Sequence, residues 1–144
     1  MKKQISRALL GLAATLALAV AAHAQVLHTV VINVPFDFVA GERQMPAGRY
    51  TVRRVRSDAE TALVISSEDG RSNAVLLTST GAPRPHAAAL VFRQHGDQYF
   101  LAEVSMPGAA SARELSKSSA ERRLERELAG RQGGESKTVT IAGQ

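Results

Sequence analysis

The sequence predicts an all-β, mainly antiparallel domain: a small sandwich or barrel of about eight short strands with one C-terminal helix. Three observations predict it. Apolar side chains recur at every second position from Val30 through Ile32, Val34 and Phe36 to Phe38, the period of a strand with one buried face. Turn-forming clusters (Pro46-Ala47-Gly48, Asp69-Gly70, Gly96-Asp97, Pro107-Gly108) then divide the chain at the short intervals typical of sandwiches and barrels. Near the end, Ala120, Leu124 and Leu128 repeat at i, i+4 and i+8, the stripe of an amphipathic helix.

The chain starts with a segment of a different kind. Lys2, Lys3 and Arg7 precede an apolar run from Ala8 to Ala22, and Ala22-His23-Ala24 has the small-x-small form of a cleavage site. The run falls short of the roughly 20 apolar residues that a bilayer span needs. Residues 1–24 are therefore expected to be a cleaved signal peptide and the mature protein to begin at Gln25, with no membrane span left. Residues 25–144 are then one β domain, long enough to bury a single core. Losing Lys2, Lys3 and Arg7 leaves 15 basic against 13 acidic residues, a net charge of +2 rather than +5. A strongly basic, nucleic-acid-seeking surface loses its support. There is no cysteine, so an exported chain of this kind has no disulfide staple and depends on burial and sheet hydrogen bonds. The expected location is a bacterial periplasm or the exterior.

Within the mature chain, Pro35 interrupts the first alternating run without shifting its phase and removes one ladder donor, which suits a bend between two short strands. Pro46 and Gly48 form a tight turn into a strand from Arg49 to Arg56. There Tyr50 and Val52 share one parity and Val55 the other, which predicts a bulge at Arg53-Arg54. Thr61 to Ser67 and Asn73 to Thr80 form a hairpin around Asp69-Gly70. Gly81 to His86 reads as a Pro-rich connection. Ala87 to Gln94 and Tyr99 to Met106 pair around Gly96-Asp97. A two-residue loop there sets Leu90 opposite Glu103, whereas a clean apolar face needs one residue more, so the register is open. Pro107-Gly108 ends the sheet region. Two capping boxes compete next, Ser111 with Glu114 and Ser118 with Glu121. Leu115 falls off the apolar side of a helix begun at Ser111, so the helix is placed at 119–129, stopped by Gly130, with a final strand at 137–142.

The stretches Asn-Val-Pro-Phe-Asp-Phe-Val-Ala-Gly (33–41), Met-Pro-Ala-Gly-Arg-Tyr-Thr-Val (45–52), Gly-Asp-Gln-Tyr-Phe-Leu-Ala-Glu-Val (96–104) and Arg-Glu-Leu-Ser-Lys-Ser-Ser-Ala-Glu-Arg (113–122) resemble a group of small exported bacterial β-domain proteins of uncharacterised function. The resemblance implies a β domain with a terminal helix and supplies no active-site residues.

Residue chemistry points away from catalysis. His28, His86 and His95 share no metal-ligand spacing, and the default for each is a surface or half-buried side chain, so no metal site is expected. Asp37, between Phe36 and Phe38, suits a hydrogen-bond acceptor at a bend. No Gly-x-Ser-x-Gly elbow, phosphate loop or cysteine nucleophile occurs, so neither an enzyme nor a cofactor is expected. Arg49, Arg53, Arg54 and Arg56, near Arg43, are the densest basic patch, but aromatic residues for stacking nucleic acid are not interleaved with them. The plainer reading is an edge-strand face kept soluble by arginines. The two functional expectations are an exported, non-enzymatic envelope module that binds a protein partner, and a small barrel holding a lipophilic ligand. Candidate interaction residues are Arg49, Arg53, Arg54 and Arg56 on the sheet and Leu124 and Leu128 on the helix. For the barrel, Ala62, Ala74, Ala88 and Ala102 leave interior room, while Leu63, Ile65, Leu77, Phe92 and Phe100 fill it.

Overall fold

Alternation in the first run is realised residue by residue. In the computed structural model, which describes residues 29–55, 61–83, 87–130 and 136–143, β1 (Val30–Val34) buries Val30, Ile32 and Val34 and exposes the two residues between them. Pro35 to Asp37 bend the chain into β2 (Phe38–Ala40), and Asp37 Oδ1 accepts from the Ala47 N–H at 2.7 Å, the acceptor role expected of it. β3 (Arg43–Met45) and the Pro46 turn lead into β4 (Gly48–Arg54), where the buried Tyr50 donates its hydroxyl proton to the Pro46 carbonyl. The expected signal peptide, His28, Arg56 and His86 lie outside the described residues.

The remaining elements are β5 (Ala62–Ser67), β6 (Asn73–Pro83), β7 (Ala89–His95), β8 (Gln98–Ser105), β9 (Ser111–Leu115), α1 (Ser119–Ala129) and β10 (Lys137–Ala142). All-β architecture with one C-terminal helix is what the structure has, but the described residues contain ten strands rather than eight. The additions are β3 and β9. β9 is central: it lies between β6 and β8 in the order β1-β4-β5-β6-β9-β8-β2-β3, with β7 on the other side of β8 and β10 beyond β7. All pairings are antiparallel except β2 with β8.

One expectation about phase is corrected and one open register is settled. β4 pairs with β5 in unbroken register from Tyr50↔Ser67 to Arg54↔Leu63, so there is no bulge at Arg53-Arg54, and Val55 is 40% exposed instead of turning inward. The bulge falls in β8. The loop is the two-residue Gly96-Asp97, with Gly96 at φ 60, but the register shifts between Val91 and Phe92, so Leu90 pairs with Val104 and Phe92 with Leu101. One extra residue at Ala102 thus reconciles the tight turn with an apolar inner face. β6 also runs past Thr80 to Pro83, through a register irregularity opposite β9, where a plain connection was expected.

The sheet is not a closed barrel. Its two halves face each other over one interior, with Phe38 edge-on to both Tyr50 and Phe92 at 5.1 and 5.2 Å between ring centroids and Ile32, Met45, Leu63 and Ile65 beside them. β1 and β10 meet along a seam without a strand ladder. There the Gly143 N–H donates to the Ala88 carbonyl at 2.8 Å, and a Cβ on Gly143 would stand 2.7 Å from the Ala88 Cβ and 3.0 Å from Val30 Cγ1.

That seam yields a prediction. Gly143→Ala overpacks it and should cost about 1–3 kcal/mol in a urea melt. Gly130→Ala, at φ −71 with its nearest atoms 3.6 Å away, should be neutral or slightly stabilising.

Candidate functional site

Strand register decides which side chains leave the main core yet stay dry. Arg93 pairs with Phe100 and Val39 with Phe100, so these three share the face opposite to Phe92 and Phe38; His95, two residues beyond Arg93, shares it too. Phe100, Val39 and His95 are nonetheless buried, at 2%, 8% and 3% exposure. On this outer face Arg93 and His95 meet α1.

The helix begins as the second capping box predicts: Ser118 Oγ accepts from the Glu121 N–H at 3.0 Å. The Glu121 side chain goes elsewhere. It is the one buried residue of α1, and its carboxylate accepts from Arg93 Nε at 2.6 Å and Arg93 Nη2 at 3.0 Å, with His95 Nε2 at 3.1 Å from Oε1. One turn on, Glu125 lies 3.5 Å from the same His95 nitrogen and 2.5 Å from Lys117 Nζ. At the helix start, the Glu42 carboxylate accepts from Ser119 N at 2.9 Å and Ser119 Oγ at 2.6 Å, a negative charge at the positive end of the helix dipole. Leu124 and Leu128, the apolar stripe and the candidate interaction residues of the helix, share the Glu121 face and are half-buried. The helix is fastened chiefly by charge.

Electrostatics follow from this geometry. Burial pushes the Glu121 carboxyl up, but the Arg93 and His95 hydrogen bonds and charges outweigh it and hold the group below the ordinary 4.5. Glu42 is likewise lowered, first by the Ser119 hydroxyl and then by the Ser119 N–H. The expectation of a surface or half-buried histidine fails for His95, which is buried against the Phe100 ring at 5.7 Å between centroids. No spacing rule finds this cluster, because His95 and Glu121 are 26 residues apart and meet only through the fold.

The arginine patch does not assemble as one surface. Arg49 and Arg53 project from the outer face of β4, with Arg49 Nη1 3.5 Å from Glu68 Oε1, whereas Arg54 has the opposite parity and is half-buried. Arg56 lies outside the described residues. What the outer face of β4, β5 and β6 presents instead is aliphatic: Val75 is 65% and Leu77 78% exposed, with Val55 at 40% nearby. Val75 sits opposite the half-buried Val64, which sits opposite Arg53. The sequence carried half the signal, since Ala74 to Leu77 is apolar at both parities. A cleft of about 330 Å^3 between the Pro46–Tyr50 turn and the Ser67–Asp69 hairpin has a polar rim, and its Asp69 carboxylate already bonds Ser67 Oγ and the Arg71 N–H.

Removing the Glu121 charge while keeping its shape should free the helix. Glu121→Gln leaves Arg93 short of a partner and should cost about 3 kcal/mol, against about 1 kcal/mol for the half-buried Leu124→Ala. Because both acids titrate below their ordinary value, their contribution is complete above about pH 4.5 and is lost as pH falls through the lower folded values. Urea midpoints against pH should therefore drop on acidification in the native protein and drop less in Glu121→Gln.

No protein-family model, curated protein or solved structure matches the chain, so the chemistry of these surfaces is the basis for function.

Proposed function

We propose that the protein is an exported, non-enzymatic binding module of the bacterial envelope, one of the small β-domain group it resembles, and that its partner is another protein. The observation that carries this reading is the contrast between the two outer faces of the sheet. The face of β2, β8 and β7 buries Phe100 and Val39 and is tied to α1 through Arg93 and His95, whereas the face of β4, β5 and β6 leaves Leu77 and Val75 exposed, with Arg53 across β5 from Val75. Adjacent, strongly exposed aliphatic side chains on a rigid sheet are unfavourable unless something covers them, and a flat apolar centre with an arginine rim is the composition of protein–protein contacts. The charge at the rim favours a partner that is acidic around an apolar centre.

A protein partner is a better match than a lipophilic ligand. The second expectation required a closed barrel with room inside, and the sheet is open with Tyr50, Phe38 and Phe92 packed through its middle. No helix among the described residues is long and apolar enough to cross a membrane. The buried titratable residues, His95 and Glu121, are engaged in holding α1, which supports a structural rather than a catalytic use.

A photo-crosslinking side chain at Leu77 should capture a discrete protein in the cell envelope, and Val75→Asp should suppress that product without shifting the urea midpoint. The same crosslinker at Glu127, on the exposed side of α1, should not capture it. Equal labelling from both positions would contradict the reading. Intact mass of the envelope form should correspond to a chain starting at Gln25.

A further inference from the structure

The geometry points to a zinc-class divalent cation site built from His95, Glu121 and Glu125. His95 Nε2 lies 3.1 Å from Glu121 Oε1 and 3.5 Å from Glu125 Oε1, and the three donor atoms lie within 4.8 Å of one another. Bonds of about 2.0–2.1 Å to a tetrahedral ion place donors roughly 3.4 Å apart, so these contacts already have the spacing of a tetrahedral edge. The donors are of the right kind, one imidazole nitrogen and two carboxylates, all ligand types that bind zinc, and three of them leave a fourth tetrahedral position for water. They also stand on rigid supports. His95 and Glu121 are 3% and 1% exposed, one at the end of β7 and the other in the first turn of α1, and Glu125 is one turn further on the same helix face.

Two cations already neutralise this cluster, and they differ in how firmly they are held. Arg93 grips both oxygens of Glu121 and is 19% exposed in its side chain. Lys117 meets only Glu125, from the loop before the helix, and its side chain is 45% exposed. When Lys117 swings into solvent, two carboxylates and one guanidinium leave a net negative charge for a divalent ion to meet. Arg93 stays on Glu121 as a positioning residue, with Nη2 on Oε2 and Nε on one lone pair of Oε1, and the second lone pair of Oε1, on the His95 side, meets the metal. Binding requires His95 in the tautomer with its proton on Nδ1, so that Nε2 offers a lone pair. The half-buried Glu125 marks the side from which the ion and a water ligand enter.

Sequence spacing does not show this site because its ligands come from a strand end and a helix. The ion would join the same two elements that the Arg93–Glu121 pair joins. Titration of the purified protein with Zn2+ by calorimetry, and with Co2+ followed by its visible tetrahedral bands, tests the inference. About one ion per chain is expected, with a rise in thermal midpoint that grows with ion concentration. His95→Gln should abolish binding. Glu125→Gln should weaken it by at least about tenfold. Lys117→Met, which removes the competing ammonium, should tighten it several-fold. Because Glu125 and Lys117 are partly exposed, their variants keep the fold, and circular dichroism checks this. Absence of saturable binding even in Lys117→Met, or binding that survives both His95→Gln and Glu125→Gln, overturns the site.

Discussion

A carboxylate with almost no water around it governs how one side of this fold is built. Glu121 is 1% exposed, and a charge so placed is tolerated only when paired and hydrogen-bonded. Its partners, Arg93 and His95, stand on the outer face of β7, and they point that way because side chains alternate along the strand and Leu90 and Phe92 point inward. The pair therefore ties α1 to the face that also carries the buried Phe100 and Val39. Apolar burial alone is a weak fastener here, since Leu124 and Leu128 remain half-buried and three helical turns are marginal in water without support. Two polar clamps, Glu42 of the β2–β3 turn on Ser119 and Glu121 on Arg93 and His95 of β7, supply that support from different parts of the sheet.

The opposite half of the sheet solves its burial problem differently. β1, β4, β5 and β6 place Val30, Val52, Ile65 and Ala74 in one cross-strand row on the interior, while the reverse face has no such cover among the described residues. Exposed Val75 and Leu77 are the consequence. A chain without cysteine gains no covalent help, so the interior ring packing of Phe38, Tyr50 and Phe92 carries both halves.

Much of this was legible in the sequence. The Val30–Val34 alternation, the Asp69-Gly70 and Gly96-Asp97 turns, the helix at 119–129 and the strand at 137–142 rest on local periodicity and turn chemistry, and local signals survive folding. β9 was not legible. Ser-Ala-Arg-Glu-Leu carries a helical capping pattern, and its buried residues, Ala112 and Leu115, are three apart rather than two. Its strand state comes from the ladders of β6 and β8 on either side, a tertiary effect that outweighs propensity. β3 is too short to show a period. The charged cluster was invisible for a related reason: His95 sits in a turn-flanking sequence and Glu121 in an evenly charged helix. The capping box marks Glu121 as a helix-start residue, but nothing local marks it as buried.

The most direct test of the charge-fastened helix is a double-mutant cycle with Arg93→Met, Glu121→Gln and both together, read as unfolding free energies. A buried, bidentate pair predicts a coupling of at least about 1.5 kcal/mol, so the double variant should be far less damaged than the two single losses added together. Strict additivity of the two substitutions would contradict it and return the helix to its leucines.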